Sequence, residues 1–178
     1  RQIQAMIRLI DDMLDVSRMR SGTLSIRPVE VELMRLLERI VSDLSLQVAG
    51  SGSKLTLIPH DPVQGKWDEF RIEQVIVNLL TNALRYGCGN PVEVSVHLDG
   101  DEVRVDVSDQ GKGITESERQ RIFEPFERGI GNRDVKGLGL GLYISRQLAE
   151  SHGGRLSVVP GPECGSVFSL ILPLNASD

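Results

Sequence analysis

The sequence is poor in cysteine and aromatic residues, and it has no excess of positive charge. Cys88 and Cys164 are its only cysteines, and neither lies in a CxxC or Cys/His spacing, which argues against a disulfide framework and a structural zinc site. Four Phe, two Tyr and one Trp leave Leu, Val and Ile to build the core. The formal net charge of -5 argues against a nucleic-acid or membrane-surface binder, which normally carries a basic face.

The sequence also lacks any apolar run that approaches the ~20 residues of a membrane-spanning helix, and it shows no signal peptide. It begins at Arg1 within a helical pattern and without an initiating methionine, so we interpret it as part of a longer protein. We expect this part to be cytoplasmic, and any membrane association to come from regions outside the chain.

The first 22 residues have a helical pattern of their own. Residues 1–20 carry two neighbouring apolar stripes with alternating steps of three and four, the spacing of bundled helices, and Gly22 is a suitable C-terminal stop. Two stripes suit a helix of a four-helix bundle; the alternative is a helix that lies on the body of its own domain. The stripes consist of Ile3, Ile7, Ile10 and Leu14, and of Met6, Leu9, Met13 and Val16.

Residues 23–178 predict a single α/β domain, a two-layer sandwich of a mixed sheet and three main helices. Residues 114–139 have little regular structure beyond a short helix at 116–122, which is typical of a lid. Asp99 and Gly100 predict a tight hairpin turn. The remaining predicted elements are strands at 24–29, 55–58, 92–98, 103–107, 155–159 and 167–172, and helices at 32–49, 69–86 and 140–151.

The predicted helix at 69–86 carries a polar stripe beside its apolar face. Asn78, Asn82 and Arg85 are spaced i, i+4 and i+7, so they lie along one edge of the apolar arc. Amide oxygen is a hard ligand that suits Mg²⁺ without adding negative charge beside phosphates. The stripe therefore indicates either an anion-and-metal cleft or, alternatively, a solvated helix flank.

A carboxylate continues the core-facing row of the second hairpin strand. The alternation of Val103, Val105 and Val107 places Asp109 on the inward side, where its burial is costly unless donors surround it. The exocyclic amine of a purine is one such donor. Gly111 and Gly113 follow and allow the backbone to approach a flat ligand closely, although an ordinary strand-ending Asp-Gly turn is the alternative.

A glycine-rich segment leads directly into the helix predicted at 140–151. Its residues 136–142 read Lys-Gly-Leu-Gly-Leu-Gly-Leu. Backbone amides without side chains, together with the positive end of the helix dipole, form a site for phosphates. The segment is not a Walker A loop, and it lacks the upstream strand and the downstream acid of a dinucleotide-binding fingerprint.

These features in this order resemble the Bergerat ATP-binding fold of histidine kinases and of gyrase, mismatch-repair and chaperone ATPases. Within that superfamily the motifs are similar to those of sensor histidine kinases, and residues 14–24 are similar to the end of the second dimerisation helix. The matching segments are an N box at 78–86, a G1 box at 109–114, an F box at 123–128 and a G2 box at 137–142.

The resemblance implies ATP and Mg²⁺ as cofactors. It makes Asn82 the metal ligand with Asn78 beside it, and Asp109 the acceptor for the adenine amine. Asn78, Asn82 and Arg85 would carry the catalysis, and Arg133 would add a lid cation beside Lys136. The implied ATP-contacting residues are Asn78, Asn82, Arg85, Tyr86, Asp109, Gly111, Gly113, Ile114, Lys136, Gly137, Leu138, Gly139, Leu140, Gly141 and Leu142.

The resemblance also implies a reaction and its partners. The γ-phosphoryl of ATP would pass to a histidine, and then to an aspartate on a response-regulator receiver domain. No histidine of this chain is in a phosphoacceptor motif, so we expect a separate phosphoacceptor-histidine domain, no autophosphorylation in cis and a homodimeric full-length protein. Nucleic acid is not an expected partner.

Two rival functions stay open at this point. The first is an ATPase of the gyrase or chaperone type, and the second is a non-catalytic binding module. In the hydrolases of this fold a Glu activates water, and Asn78 stands in its place here. Since an amide is a poor general base, the residue at 78 favours a kinase over an ATPase.

Overall fold

A computed structural model describes residues 2–48, 52–127 and 139–175 of the chain. Its first helix precedes an α/β domain, as the hydrophobic pattern predicts. No helix within these ranges has both the length and the apolarity needed to cross a bilayer. The elements are α1 (Gln2–Arg20), β1 (Val29–Glu32), α2 (Leu33–Val48), β2 (Leu55–Leu57), β3 (Gln64–Trp67), α3 (Glu69–Tyr86), β4 (Val92–Asp99), β5 (Glu102–Asp109), α4 (Glu116–Arg121), α5 (Gly141–Ser151), β6 (Arg155–Pro160) and β7 (Ser166–Pro173).

Five of the strands form one mixed sheet, which confirms the predicted fold class. Its order is β2-β4-β5-β7-β6, with β2 parallel to β4 and the other neighbours antiparallel. Alternate side chains of β4, β5 and β7 are buried with those of α2, α3 and α5 in one hydrophobic core. The helices therefore cover one face of the sheet, and this arrangement places α3 directly over β5.

The strand predicted at residues 24–29 is wrong in position. Residues 24–28 form no strand, because β1 begins at Val29 and pairs with β3, a strand that the sequence pattern did not predict. Pro28 has no N–H for a ladder, and β3 contains Gln64, Gly65 and Lys66 instead of an apolar alternation. Gly65 is required because a side chain there would collide with the buried indole ring of Trp67.

A buried histidine anchors the start of α3. The backbone N–H of Asp68 donates to His152 Nε2 at 3.1 Å, and His152 Nδ1 donates to the carbonyl oxygen of Leu148 at 2.7 Å. This pair of bonds requires the neutral imidazole with its proton on Nδ1. Burial lowers the pKa of His152, against smaller opposing effects of the Leu148 bond and the Asp68 charge. The carboxylate of Asp68 in turn caps α3 by accepting from the Arg71 N–H.

Helix α1 is docked on the domain through a buried ion pair. Asp15 is only 5% exposed, and its two oxygens accept from Arg71 Nη1 at 3.0 and 2.8 Å. Gln74 closes the cluster, since it accepts from Arg71 and donates to Asp15. Val16 and Met19 pack against the core on the same side.

The rest of α1 leaves part of its predicted apolar pattern exposed. Large apolar side chains on this helix are about half exposed or more, and nothing in the described ranges covers them. One side of α1 thus lies on the body of the domain, while another is available to further helices. Its place in a four-helix bundle, and the division of the chain at residue 22, stay predictions. The exposed residues are Ile7, Ile10, Met13 and Leu14.

We expect the stability of the domain to fall as the pH drops below the ordinary His152 pKa of 6.5. The folded pKa is lower than that value, so in this window the unfolded chain binds a proton that the folded chain does not. Unfolding by urea between pH 7.5 and pH 5 measures the effect. His152→Gln should remove most of this slope, whereas His60→Gln should retain it; equal slopes in all three proteins would contradict the buried neutral imidazole.

Replacing Asp15 by Ala should lower the free energy of unfolding by roughly 3 kcal/mol, because Arg71 keeps a buried charge without its carboxylate partner. Chemical denaturation at pH 7 measures this loss. Asp11→Ala on the exposed side of α1 removes the same charge from the same helix and serves as the control. A loss no larger than that of the control would mean that the ion pair does not hold α1 on the domain.

Candidate functional site

The polar edge of α3 forms one wall of the candidate site. The buried side chains of α3 form its apolar face, as the helical period predicts, and Asn78, Asn82 and Arg85 lie along the border of that face. The buried residues are Ile72, Val75, Ile76, Leu79, Leu80 and Ala83. Asn78 and Asn82 are partly exposed, and Arg85 is exposed. Neither Asn82 nor Arg85 has a side-chain hydrogen bond or ion pair to any described residue. Both side chains are therefore free to contact a ligand.

Asn78 is held against the start of α5. Its Nδ2 donates to Ser145 Oγ at 2.9 Å. Its Oδ1 lies so close to Gly141 that a Cβ on residue 141 would be 2.5 Å from that oxygen. Glycine at 141 therefore allows the helix entrance to approach the amide. The first amide of the N box and a glycine of the G2 box, which are far apart in sequence, meet here.

The opposite end of α3 meets the turn that follows β5. A Cβ on Gly111 would collide with the carbonyl oxygen of Tyr86, so glycine is required where this turn passes the end of the helix. Gly113 has a φ of +75°, a conformation that favours glycine, and its Cβ position is 3.0 Å from the Gly165 carbonyl oxygen. The turn thus presents bare backbone between α3 and the loop before β7. Ile114 packs partly buried against the core.

Asp109 is buried at the core-facing end of β5, as its position in the alternation predicts. It is 5% exposed, and Oδ1 accepts from the Gly111 N–H at 2.8 Å. Burial raises the pKa of Asp109, while hydrogen bonds from the backbone N–H groups of Gly111 and Ser166 oppose that rise. These donors keep a carboxylate tolerable in an apolar surrounding, with capacity left to accept a further hydrogen bond.

The entrance of α5 contributes backbone N–H groups. The helix begins at Gly141, and no side chain caps it at Leu140. Its first N–H groups are therefore available to an anion. Leu140 is buried and Leu142 packs against the core, so their side chains support the helix and only their backbone can face a ligand.

Gly139 connects this entrance to the F box. Its φ is +70°, a Cβ there would be 2.5 Å from the Glu127 oxygen, and its carbonyl oxygen accepts from the Phe126 N–H at 3.0 Å. Phe123 is a core residue that packs edge-on against Phe168, whereas Phe126 is exposed. The predicted phosphate contacts of Lys136, Gly137 and Leu138, and the lid cation Arg133, lie outside the described residues.

The turn after β5 and the entrance of α5 lie at opposite ends of the polar edge of α3, an arrangement that would suit an elongated ligand such as a nucleotide. Tyr86 contacts the Asp109 turn, and Asn78 contacts the α5 entrance. Eight residues of helix separate these contacts, about 12 Å. A base at one end and a phosphate tail at the other would span such a distance. No cluster of three His, Cys, Asp or Glu side chains that could hold a metal occurs in the described ranges, so a metal here would depend on amide and phosphate oxygens.

Several residues of the site were missed by sequence reasoning. Ser145 is a helix residue one turn after Gly141, and a polar residue among the buried positions of α5 was the available signal. Gly165 lies so close to the Asp109 carbonyl that any Cβ would collide with it. Asn90 Nδ2 donates to the Gln110 carbonyl oxygen at 2.8 Å and supports the turn. The Gly165 and Asn90 contacts depend on loops that no local pattern brings together.

Comparison with known proteins shows the family of the chain. A family model described as "Histidine kinase-, DNA gyrase B-, and HSP90-like ATPase" matches residues 67–176, which is more than half of the chain. The chain belongs to that family. The matched region is an ATP-binding domain, and the similarity of the chain to sensor histidine kinases confirms the family predicted from the motifs.

Individual relatives resemble nearly the whole chain. Bacteriophytochrome from Pseudomonas aeruginosa is 37% identical over 97% of this chain and 24% of its own length. Sensor protein TorS from Escherichia coli is 38% identical over 98% of this chain and 19% of its own. Full-length ShkA, solved in complex with AMPPNP, has 26% identity and a TM-score of 0.81 over 97% of this chain and 36% of that one.

The match therefore extends to α1, beyond the ATPase family model. The chain spans about a quarter or less of the two curated relatives. The family and the ATP-binding domain follow from the comparisons, while the roles of individual site residues stay predictions.

Proposed function

We propose that this chain is the ATP-binding kinase core of a sensor histidine kinase. In this proposal it delivers the γ-phosphoryl of ATP to a histidine on a separate phosphoacceptor domain, from which the phosphoryl passes to an aspartate of a response-regulator receiver domain. The single observation that carries the ATP site is the buried Asp109 carboxylate, held by backbone donors beside the side-chain-free turn at Gly111 and Gly113. We further propose that the parent protein is a dimer and that this domain works in the cytoplasm, where ATP is available.

Asp109 recognises the base in this proposal. A buried carboxylate with spare acceptor capacity suits the exocyclic amine of adenine, and it disfavours a purine with a carbonyl oxygen at that position. Gly111 and Gly113 let the adenine ring lie against the backbone. Tyr86 and Ile114 border the same end of the cleft. Base selection is therefore assigned to the end of β5.

The phosphates extend along α3 to the entrance of α5. The first N–H groups of α5, at Gly141 and Leu142, have no side-chain cap and would donate to the phosphates, and Arg85 would supply a cation with forked donors. The amide oxygens of Asn78 and Asn82 fit Mg²⁺, which takes oxygen ligands and commonly keeps several waters. When bound, the ion would neutralise part of the triphosphate charge. The residues themselves position the nucleotide, and positioning is the main protein contribution to phosphoryl transfer.

An ATPase is the rival function, and the residue at 78 argues against it. The Asn78 amide donates to Ser145 and cannot take a proton from water at neutral pH. The described residues place no carboxylate in hydrogen-bonding contact with Asn78. Without a base at this position, water is not activated to attack ATP, which favours transfer of the phosphoryl group to an acceptor.

We expect Asp109→Asn to weaken ADP binding by about 2 kcal/mol, roughly 30-fold in Kd, because an amide N–H₂ would face the adenine amine in place of an acceptor oxygen. Isothermal titration of the chain with ADP measures this change. Asp106→Asn is the matched control, since it removes a carboxylate from the same strand on the other face of the sheet. Equal affinities for Asp109→Asn and the parent would refute the assignment of the base site.

The kinase activity itself can be tested by transfer in trans. Incubated with γ-labelled ATP, Mg²⁺ and a histidine-bearing dimerisation domain from a related sensor kinase, the chain should produce an acid-labile phosphohistidine. Asn82→Ala should abolish this transfer and weaken magnesium-dependent nucleotide binding about tenfold or more, as expected for loss of a group that holds the metal.

One outcome would contradict the kinase function, and another would contradict the assignment of the metal to Asn82. Steady phosphate release without a histidine acceptor would favour the ATPase. Undiminished transfer by Asn82→Ala would show that the metal is held elsewhere. Asn175→Ala, an exposed residue after β7, controls for the loss of an amide as such.

A further inference from the structure

The two amides of α3 differ in how firmly they are held. Asn82 has no side-chain partner among the described residues, whereas Asn78 donates from Nδ2 to Ser145 Oγ at 2.9 Å. Ser145 is 2% exposed and lies within α5, one turn after its first residue. A buried hydroxyl that contacts a ligand-facing amide from behind can fix the orientation of that amide.

Gly141 and Ser145 contact opposite ends of the same amide group. They are spaced i, i+4 and therefore lie on one face of α5. Gly141 leaves room for Oδ1, whose distance to a Cβ at that position would be 2.5 Å, and Ser145 takes the nitrogen. The positive end of the α5 dipole favours the oxygen at the helix entrance over the NH₂ group. The Ser145 hydroxyl, which can accept or donate, holds the amide in place, and the helix dipole favours the oxygen as the end that faces the entrance.

We propose that Ser145 is a positioning residue for magnesium-nucleotide binding, which keeps the Asn78 carbonyl oxygen at the entrance of α5. The inference rests on the proposed function of this site. Without the hydroxyl, Nδ2 loses its buried partner and the amide can turn its NH₂ group toward the phosphate end of the cleft. An NH₂ group cannot act as an oxygen ligand for Mg²⁺ or accept from a metal-bound water.

Ser145→Ala tests this inference on the intact chain. Titrations with AMPPNP in the presence of Mg²⁺ and in EDTA separate a metal-dependent effect from a general one. We expect about fivefold weaker binding with Mg²⁺, the effect of losing one neutral hydrogen bond, and unchanged binding in EDTA. Ser151→Ala is the matched control, because Ser151 lies in the same helix and its side chain, within the described part of the chain, bonds only the Gln147 carbonyl oxygen.

A double-mutant cycle distinguishes positioning from packing. If Ser145 acts through Asn78, Ser145→Ala should cause no further loss in an Asn78→Ala background. Ser145→Cys retains most of the side-chain volume but offers a weak acceptor, so it should reproduce the magnesium-dependent loss even if the Ala variant folds poorly.

Each result decides between the inference and its alternatives. Equal losses with Mg²⁺ and in EDTA, or additive losses in the cycle, would show that Ser145 only packs and would overturn the inference. A parent chain that binds magnesium-AMPPNP and a Ser145→Ala variant that binds it equally well would overturn the inference but leave the proposed function intact. Failure of the parent chain to bind nucleotide at all would overturn both.

Discussion

The architecture of the site depends on keeping a carboxylate buried at Asp109. Such a group is costly in an apolar surrounding, and the structure offsets the cost with N–H donors from Gly111 and Ser166. Those donors are in place only if the turn after β5 passes tightly between the end of α3 and the loop before β7, which requires glycine at 111 and 165. The buried carboxylate needs these hydrogen bonds, and this need explains why the turn after β5 and the loop before β7 lie so close together.

Helix α3 connects this end of the site to the rest of the domain along one polar edge. Arg71 and Gln74 form hydrogen bonds to Asp15 of α1, and Asn78 forms one to Ser145 of α5. Asn82 follows one turn later, and its side chain has no partner among the described residues. Contacts to α1 and α5 therefore occupy the first half of this edge, and Asn82 and Arg85 lie in its second half.

Local patterns predicted most of the fold and the chemical types at the site. A single local period predicts each of three features: the apolar arc of α3, the β4–β5 hairpin and the inward position of Asp109. These features could therefore be predicted without knowing the tertiary structure. The β1–β3 pair could not, since β3 has glycine and polar residues in place of an apolar alternation, and it is held by its pairing with β1 and by the buried Trp67 at its end. Ser145 and Gly165 were not predicted as site residues for a related reason. Their roles depend on contacts between segments more than 50 residues apart in the sequence.

The contrast between Asn78 and a hydrolytic residue has a structural basis. A carboxylate at position 78 would place a negative charge beside the α5 entrance, where it would compete with phosphate for the same N–H groups. It would also be a base within reach of water at the phosphate end of the cleft. The amide avoids both effects and gains a partner in Ser145 that a carboxylate could use only by making the hydroxyl donate. The pairing of Asn78 with Ser145 therefore fits the proposed function, in which the site holds a nucleoside triphosphate without hydrolysing it and a separate acceptor receives the phosphoryl group.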